Sequence, residues 1–433
     1  MTTKPLSNEQ AASLQQTNLR SYMLVTGAYW ADTLTDGAIR MLVLFYFYQL
    51  GYSPFQVASL FLFYELFGIL TNLFGGYLGA RFGLKTTLFL GLGTQLVALS
   101  MLAFAPASLL VVPYVMVVQA LSGIAKDLTK MSAKSAVKLV AGDTQSKLYR
   151  WVSILTGSKN AIKGLGFFVG ALLLTLVAFQ TALLLLAVLV LTALLAMLIL
   201  LRGDLGTANK KAKFTHMFSQ NRAVNILAAA RIFLFGARDI WFVVGLPVFF
   251  VSVLGWDFWL AGGFMAAWTI GYGMVQAATP GLIRRRAAKA HEPDGPTAMG
   301  LAFGLAVFPA AIALALIYGI APMLAVVLGL LAFGVVFALN SAVHSYLILA
   351  YTDSDKVAMN VGFYYMANAM GRLIGTVLSG LLYQYGLRHG PYGGLIVCLW
   401  ASAVFVLIAG LVSLRLPAQQ SHRRPIILNK LND

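Results

Sequence analysis

Long apolar runs separated by short polar segments fill most of the chain. A membrane-spanning helix needs about 20 mostly apolar residues, and runs of that length recur throughout the sequence. They predict twelve helices, with limits near 20–50, 54–80, 86–106, 111–140, 147–178, 181–202, 222–251, 257–283, 298–319, 323–350, 357–386 and 392–416. In "GYSPF", Ser53 is a predicted helix cap and Pro54 a predicted first helical residue. The pattern therefore predicts an all-α polytopic membrane protein.

The composition agrees with this fold class. Hydrophobic residues make up 60% of the chain, charged residues 10%, and the mean hydropathy is +0.82, whereas soluble domains are about 45–50% apolar and about 25% charged. The first 19 residues are polar and lead into no short apolar run with a cleavage site, so we expect an uncleaved first helix. The single cysteine, Cys398, excludes an intramolecular disulfide.

The basic residues of the connections predict the orientation. A net charge of +17 could indicate nucleic-acid binding, but the connections after even-numbered helices hold many of the basic residues. Those residues are Arg81, Lys85, Lys210, Lys211, Lys213, Arg284, Arg285, Arg286 and Lys289. Arg388 is the only lysine or arginine in the connections after odd-numbered helices. Because loops rich in lysine and arginine stay in the cytoplasm, we expect both termini there, a bilayer as the surrounding partner, and no nucleic-acid partner.

The longest interior connection divides the predicted helices into six plus six. It gives an N-terminal bundle over 1–202, a cytoplasmic basic linker over 203–221, and a C-terminal bundle with a cytoplasmic tail over 222–433. The two parts echo each other, since "QLGYSPF" follows helix 1 and "VLGWDFW" follows helix 7. The same offset pairs Asn72 with Gln276 and Arg81 with Arg285. We therefore predict two pseudo-symmetric six-helix bundles.

A motif between helices 2 and 3 gives this arrangement a family resemblance. The stretch "GGYLGARFGLKTT" (75–87) resembles the loop motif of the major facilitator superfamily, with matches at Gly76, Leu78, Arg81, Gly83 and Lys85. Ala80 stands where that motif usually has an aspartate, so the loop lacks the acid of the motif's usual ion pair. The resemblance implies a cytoplasmic gate at Gly76, Arg81, Gly83 and Lys85. It also implies a substrate site between the two bundles, near the bilayer midplane.

Ionisable residues lie inside the predicted spans. A charge at the bilayer centre costs at least a few kcal/mol and tends to mark a cavity, relay or substrate path. Asp32, Asp36 and Glu65 fall near mid-membrane and are candidates for proton coupling. The candidate substrate ligands are Lys126, Lys130, Lys159, Lys163, Arg238, Arg372, Asn368 and Arg40, the last lying further outward. They occupy helices that line or flank the cavity in the superfamily.

Several of the charged or polar residues in the spans allow a second interpretation. Lys134 and Lys138 lie near the inner end of helix 4, where basic residues anchor a helix, and Arg231 lies far inward. Asp127 and Asp239 each follow a cation and fit a neutralising role. His344 fits either a proton site or an interhelical hydrogen bond.

The chemistry of these residues favours an anionic substrate. Buried cations outnumber buried acids, lysine supplies point charge, and arginine supplies bidentate recognition of oxyanions. We expect a phosphate-bearing or multiply charged substrate, with an organophosphate–phosphate exchanger among the alternatives. No metal-ligand cluster, phosphate loop or nucleophile–base pair stands out, so we expect no cofactor, no metal and no enzymatic activity.

Five segments resemble the ArsJ family of organoarsenical efflux permeases. They are "YWADTLTDGAIRMLVL", "LSGIAKDLTKMSAKSAVKLV", "LTGSKNAIKGLGFF", "LFGARDIWFVVGLPVF" and "NVGFYYMANAMGRLIGTVLSGLLYQ". The resemblance implies export of 1-arseno-3-phosphoglycerate, which a partner glyceraldehyde-3-phosphate dehydrogenase makes from arsenate. It further implies arsenate resistance and a bacterial inner-membrane location. We expect a monomer.

Overall fold

The computed structural model describes residues 8–141, 145–201, 221–286, 293–352 and 357–418. These residues form the α-helices α1 (Asn8–Gln49), α2 (Pro54–Ser59), α3 (Leu62–Phe82), α4 (Leu84–Ala103), α5 (Val112–Ala141), α6 (Gln145–Leu176), α7 (Phe179–Leu200), α8 (Arg222–Phe242), α9 (Gly245–Ser252), α10 (Phe258–Arg286), α11 (Gly295–Ile317), α12 (Pro322–Ala350), α13 (Val357–Gly386) and α14 (Gly393–Ser413). They confirm the predicted all-α fold of twelve spans. We call the ends where α1 begins and α14 ends the termini side, and the opposite ends the far side.

Two predicted spans are interrupted, which corrects their predicted continuity. The span over 54–80 consists of α2 and α3, and the span over 222–251 consists of α8 and α9. Ser379 stabilises the second interruption, because its Oγ accepts hydrogen bonds from the backbone N–H groups of Val244 and Gly245, both at 3.1 Å. The start of the second span agrees with the prediction, since Ser53 and Gln56 form a capping box before Pro54. The first helix begins at Asn8, earlier than the expected residue 20.

Nine helical segments among the described residues are long and apolar enough to cross a membrane. The helices α1, α5 and α13 are long enough but fall outside that set. These three helices carry several of the polar and charged residues singled out above, among them Asp32, Lys126 and Arg372. In contrast, α7 exposes a largely aliphatic surface that includes Leu184, Leu185 and Val188. The polar helices thus face protein, and α7 presents its apolar side chains outward.

Contacts on the far side join the first six spans to the last six. The rings of Phe45 and Phe258 stack with their centroids 5.0 Å apart, and the backbone N–H of Phe55 donates to Gln384 Oε1 at 3.2 Å. A Cβ added at Gly380 would lie only 2.5 Å from Ala58 Cβ. We call these three contacts the far-side seal. Glycine at position 380 is therefore required for α13 to reach α2.

Candidate functional site

A chain of ion pairs crosses the middle of the molecule. Helices α1 and α3 contribute Arg40 and Glu65, while α8 and α13 contribute Arg238, Asp239 and Arg372. Glu65 Oε1 lies 3.1 Å from Arg40 Nη2 and 2.6 Å from Arg372 Nη2. Arg372 Nε lies 3.5 Å from Asp239 Oδ2, and Arg238 Nη2 lies 2.5 Å from Asp239 Oδ1. The Glu65–Arg372 pair therefore connects the first six spans to the last six.

A second ionic group lies within the first six spans, around Asp36. Lys163 Nζ of α6 donates to Asp36 Oδ2 at 2.7 Å, and the Tyr64 hydroxyl donates to Asp36 Oδ1 at 2.5 Å. Lys126 Nζ of α5 lies 4.1 Å from the centroid of the Tyr64 ring, close enough for a cation–π contact. Lys163 and Lys126, two of the four lysines predicted as substrate ligands, thus lie beside a buried acid and an aromatic ring.

The third ionic group surrounds Asp127 on α5. Lys130 Nζ lies 2.5 Å from Asp127 Oδ1, and Lys126 Nζ lies 4.0 Å from Oδ2. Thr71 and Asn72 of α3 donate to Oδ2 at 2.8 Å and 3.3 Å, and Asn72 Oδ1 accepts from Lys130 at 2.8 Å. Asp127 therefore neutralises lysines within its own helix and holds α5 against α3. Asp239 has the same neutralising role for two arginines.

Asp32 differs from the other buried carboxylates. Thr129 Oγ1 of α5 donates to its Oδ2 at 2.5 Å, while its Oδ1 is buried and has no hydrogen-bond partner among the described residues. No cation of the described part of the chain lies within salt-bridge distance of it, although Asp36, Glu65, Asp127 and Asp239 each have one. Of the interior carboxyl groups that the structure describes, Asp32 is thus the one without a cation at salt-bridge distance to favour its ionised form.

The sequence-based selection of ligands missed Arg231. Its side chain is buried, with the residue only 4% exposed, and Nε donates to Asn368 Oδ1 at 3.0 Å. Arg231 lies seven residues before Arg238 on α8, which is nearly two helical turns and nearly the same face. That spacing is the signal in the sequence that could have placed Arg231 with the other interior cations.

The remaining predicted residues lie at the edges of these groups or outside them. Lys159 is half-buried one turn before Lys163 on α6, and Gly83 connects α3 to α4 with φ of 78°. Lys85 Nζ donates to the carbonyl of Leu201 at 3.3 Å, so it ties the start of α4 to the end of α7. Outside the described part of the structure lie the linker over 203–220, the surroundings of Gly76, and the side chains of Arg81, Lys134 and Lys138.

Positive charge exceeds negative charge in this interior. The described cations of the spans are Arg40, Lys126, Lys130, Lys159, Lys163, Arg231, Arg238 and Arg372, and the described carboxylates are Asp32, Asp36, Glu65, Asp127 and Asp239. Because buried charge needs a counter-charge, the surplus of cations over acids suits a ligand that brings its own negative charge.

Comparison with known proteins places this architecture in a family. The sequence profile of the Major Facilitator Superfamily matches residues 25–345. A solved POT family transporter in complex with a thioalcohol-conjugated peptide has a TM-score of 0.72 at 13% identity, covering 91% of this chain and 95% of that one. A mutant of the nucleoside transporter NupG gives 0.69 at 13% identity, with 92% and 99% covered. A POT family transporter in complex with 5-aminolevulinic acid gives 0.71 at 13% identity, with 91% and 95% covered.

The search of curated protein sequences gives no match. The profile nevertheless spans well over half of the chain, and the solved structures share its fold from end to end. This confirms the family resemblance carried by the loop motif, and it identifies a multi-pass membrane transporter rather than an enzyme. The chain belongs to the Major Facilitator Superfamily.

Proposed function

We propose that this transporter exports the anionic organoarsenical 1-arseno-3-phosphoglycerate by alternating access, coupled to proton entry, and so confers arsenate resistance. The observation that carries the proposal is the surplus of interior cations, which meet from both halves of the chain at the Glu65–Arg372 pair. A substrate with phosphate and arsenate oxygens offers several acceptors to arginine and lysine donors. The resemblance of five long segments to organoarsenical permeases supports this particular substrate.

The proposed cycle uses the bundles over 1–202 and 222–433 as two rocking bodies. Substrate enters from the termini side, which we assign to the cytoplasm, and its oxyanion competes with Glu65 and Asp239 for Arg372 and Arg238. The ion pair between Glu65 and Arg372, which joins the two bundles, then breaks. Its loss does not leave Glu65 as an isolated charge, because Arg40 remains its partner. The far-side seal opens, and a membrane potential that is negative inside favours release of a net anion to the exterior.

Proton coupling is assigned to Asp32 in this proposal. Asp36 and Glu65, the other two candidates, hold cations at 2.7 Å and 2.6 Å, which favours their ionised form throughout the cycle. Asp32 has one oxygen without a partner and no cation within salt-bridge distance in the described part of the chain, so its neutral form is less costly to bury.

Exchange of an organophosphate for phosphate is the second candidate function, because the same cations bind phosphate esters as well as arsenate esters. Transport by inside-out membrane vesicles distinguishes the two. The arsenical is generated in the assay from arsenate, glyceraldehyde 3-phosphate and the dehydrogenase, and accumulation of arsenic in the vesicles is measured. We expect accumulation that depends on both arsenate and the dehydrogenase.

Two variants make this test specific. Arg238→Gln removes an interior cation and should reduce accumulation at least roughly tenfold, since a hydrogen bond to a charged group contributes about 1.5–3 kcal/mol. Arg388→Gln removes an exposed cation on the far side and should have no effect. Exchange of phosphate for 3-phosphoglycerate without arsenic accumulation would replace the proposed function by the second candidate.

A further inference from the structure

Arg231 is a buried cation without a carboxylate. Besides its bond to Asn368, its Nη1 donates to the backbone carbonyl of Ser341 at 3.3 Å. Its guanidinium lies 3.8 Å from the centroid of the Phe235 ring and 4.9 Å from that of Tyr364. No Asp or Glu of the described residues lies within 4.0 Å of it, in contrast to Arg40, Arg238 and Arg372. A buried charge without a counter-ion is costly, and neutral acceptors and aromatic rings compensate only part of that cost.

The described neighbours of Arg231 are neutral polar groups rather than acids. Ser341 Oγ lies 3.1 Å from the Tyr272 hydroxyl and accepts from Gln276 Nε2 at 3.3 Å. Three residues after Ser341 on α12, His344 is buried, and its Nδ1 has no hydrogen-bond partner among the described residues. Asn368 uses Oδ1 for Arg231, which leaves its Nδ2 to donate. Side chains from α8, α10, α12 and α13 thus surround the Arg231 guanidinium with neutral polar groups, and none of them supplies a negative charge.

The position of Arg231 relative to Arg238 specifies the kind of ligand. Seven residues separate them, which places the two side chains on nearly the same face of α8. The guanidinium carbons of Arg231 and Arg238 lie 3.8 Å and 5.0 Å from the centroid of the Phe235 ring, so they are at most about 9 Å apart. We propose that Arg231, Asn368 and Gln276 form a second oxyanion subsite, on the termini side of the central ion pairs, which binds the second anionic group of a substrate that carries two. The inference rests on the proposed function, and adds a requirement for two anionic groups at the ends of a short carbon chain.

Binding of two probes to the purified protein in lipid nanodiscs tests this subsite. Inorganic phosphate offers one anionic group, and 3-phosphoglycerate offers a phosphate and a carboxylate on three carbons. Isothermal titration should show tighter binding of 3-phosphoglycerate by the wild type. Arg231→Gln should weaken 3-phosphoglycerate roughly tenfold or more, and leave phosphate within about twofold.

Asn368→Asp provides a variant that retains the packing. The new carboxylate would lie about where Oδ1 accepts from Arg231 at 3.0 Å, and so act as a built-in anion that occupies the subsite. We expect the same selective loss of 3-phosphoglycerate binding in a protein that folds normally, while Arg388→Gln binds both probes as the wild type does.

The outcomes separate this inference from the function on which it rests. If the wild type binds both probes and the Arg231 and Asn368 variants bind them equally well, the second subsite is wrong and the proposed function stands. If the variants lose both probes in parallel, Arg231 has only a structural role and the subsite is again wrong. A wild type that binds neither probe overturns the proposed function and the subsite together.

Discussion

Asp32 and Asp36 lie one turn apart on α1, yet their surroundings give them different chemistry. Asp36 has Lys163 and Tyr64 as partners, whereas the one partner of Asp32 in the described part of the chain is the Thr129 hydroxyl. Four-residue spacing predicts that both face the same side of a helix. It does not distinguish a paired carboxylate from an unpaired one, because that difference is made by residues of α3, α5 and α6.

Asp32→Asn should uncouple transport from the proton gradient. The amide keeps the shape and can accept the Thr129 hydrogen bond, but it carries no exchangeable charge. In proteoliposomes we expect substrate exchange to persist while an imposed pH gradient no longer accelerates it. Substrate exchange and pH-driven uptake are measured on the same preparation.

Asp36→Asn is the contrasting variant. It leaves Lys163 as a buried charge without its partner, which should destabilise the protein by about 3–5 kcal/mol. The double variant Asp36→Asn with Lys163→Met removes both charges and should recover most of that loss. A pH-gradient response in Asp32→Asn equal to that of the wild type would exclude Asp32 as the proton carrier.

The sequence predicts which interior residues are charged, but not which of them pair. Glu65 and Arg372 are 307 residues apart in the chain, and no local pattern in one sequence relates them. The neutralising roles of Asp127 and Asp239 are predictable from the sequence, because each has a cationic partner within three residues along the chain. The depth of Arg231 in its helix indicates a position too far inward for a substrate ligand, and its lack of an acid partner among the described residues is visible only in three dimensions.

At the level of elements, the sequence predicts a helix boundary correctly where neighbouring residues determine that boundary. The capping box at Ser53 and the limits of α13 follow from nearby residues. The interruption between α8 and α9 falls in the apolar stretch "FVVG", and the hydroxyl that stabilises it comes from Ser379, more than 130 residues later. Helix breaks supported by distant side chains cannot be read from hydropathy.

The approach of α13 to α2 gives a prediction at this level. Gly380→Val should prevent the far-side seal from forming, because even a Cβ would lie 2.8 Å from the carbonyl of Pro54. Overpacking costs about 1–3 kcal/mol, so the ratio of sealed to open molecules should fall roughly five- to hundredfold. A cysteine introduced at Ala171, which is buried against Gly262, should then react with a membrane-impermeant maleimide.

Gly300→Val is the matched control for this experiment. Gly300 lies in α11 with open space around its Cβ position, so the same change there should leave the introduced cysteine unreactive. The native Cys398 is buried, which keeps background labelling low. Equal labelling in the Gly380 and Gly300 variants would show that the far-side seal does not depend on this contact.

For the whole molecule, the Glu65–Arg372 pair is the ionic contact between the two sets of six spans, as far as the described residues show. Arg372→Gln removes it without isolating an acid, because Glu65 keeps Arg40 and Asp239 keeps Arg238. We expect the ratio of sealed to open molecules to fall roughly five- to hundredfold in the absence of substrate, which corresponds to a coupling of about 1–3 kcal/mol.

Spin labels at exposed positions on the far side measure this population. Leu109 lies between α4 and α5, and Leu387 follows α13, so cysteines there report the distance between the two sets of spans. Arg40→Gln keeps the Glu65–Arg372 pair intact and should retain the wild-type distance distribution. A wild-type distribution in Arg372→Gln as well would mean that packing alone maintains the seal.

The overall architecture is the feature that the sequence predicts best. Twelve spans and the family follow from hydropathy and one loop motif, because the bilayer limits membrane proteins to few solutions. The closed far side and the shared ion pairs depend on how helices distant in sequence meet.

Helix α13 is one uninterrupted rod of 30 residues, and it carries Asn368, Arg372 and Gly380 in succession. Asn368 and Arg372 lie in the central third of this rod and Gly380 in its last third, so a ligand that shifts the rod acts on all three positions at once. Reciprocity then requires that whatever separates the far-side end of α13 from α2 changes the affinity for anions at its middle by the same factor. We expect a bulky molecule wedged beside Gly380 on the far side to act as an allosteric inhibitor of anion binding at Asn368 and Arg372.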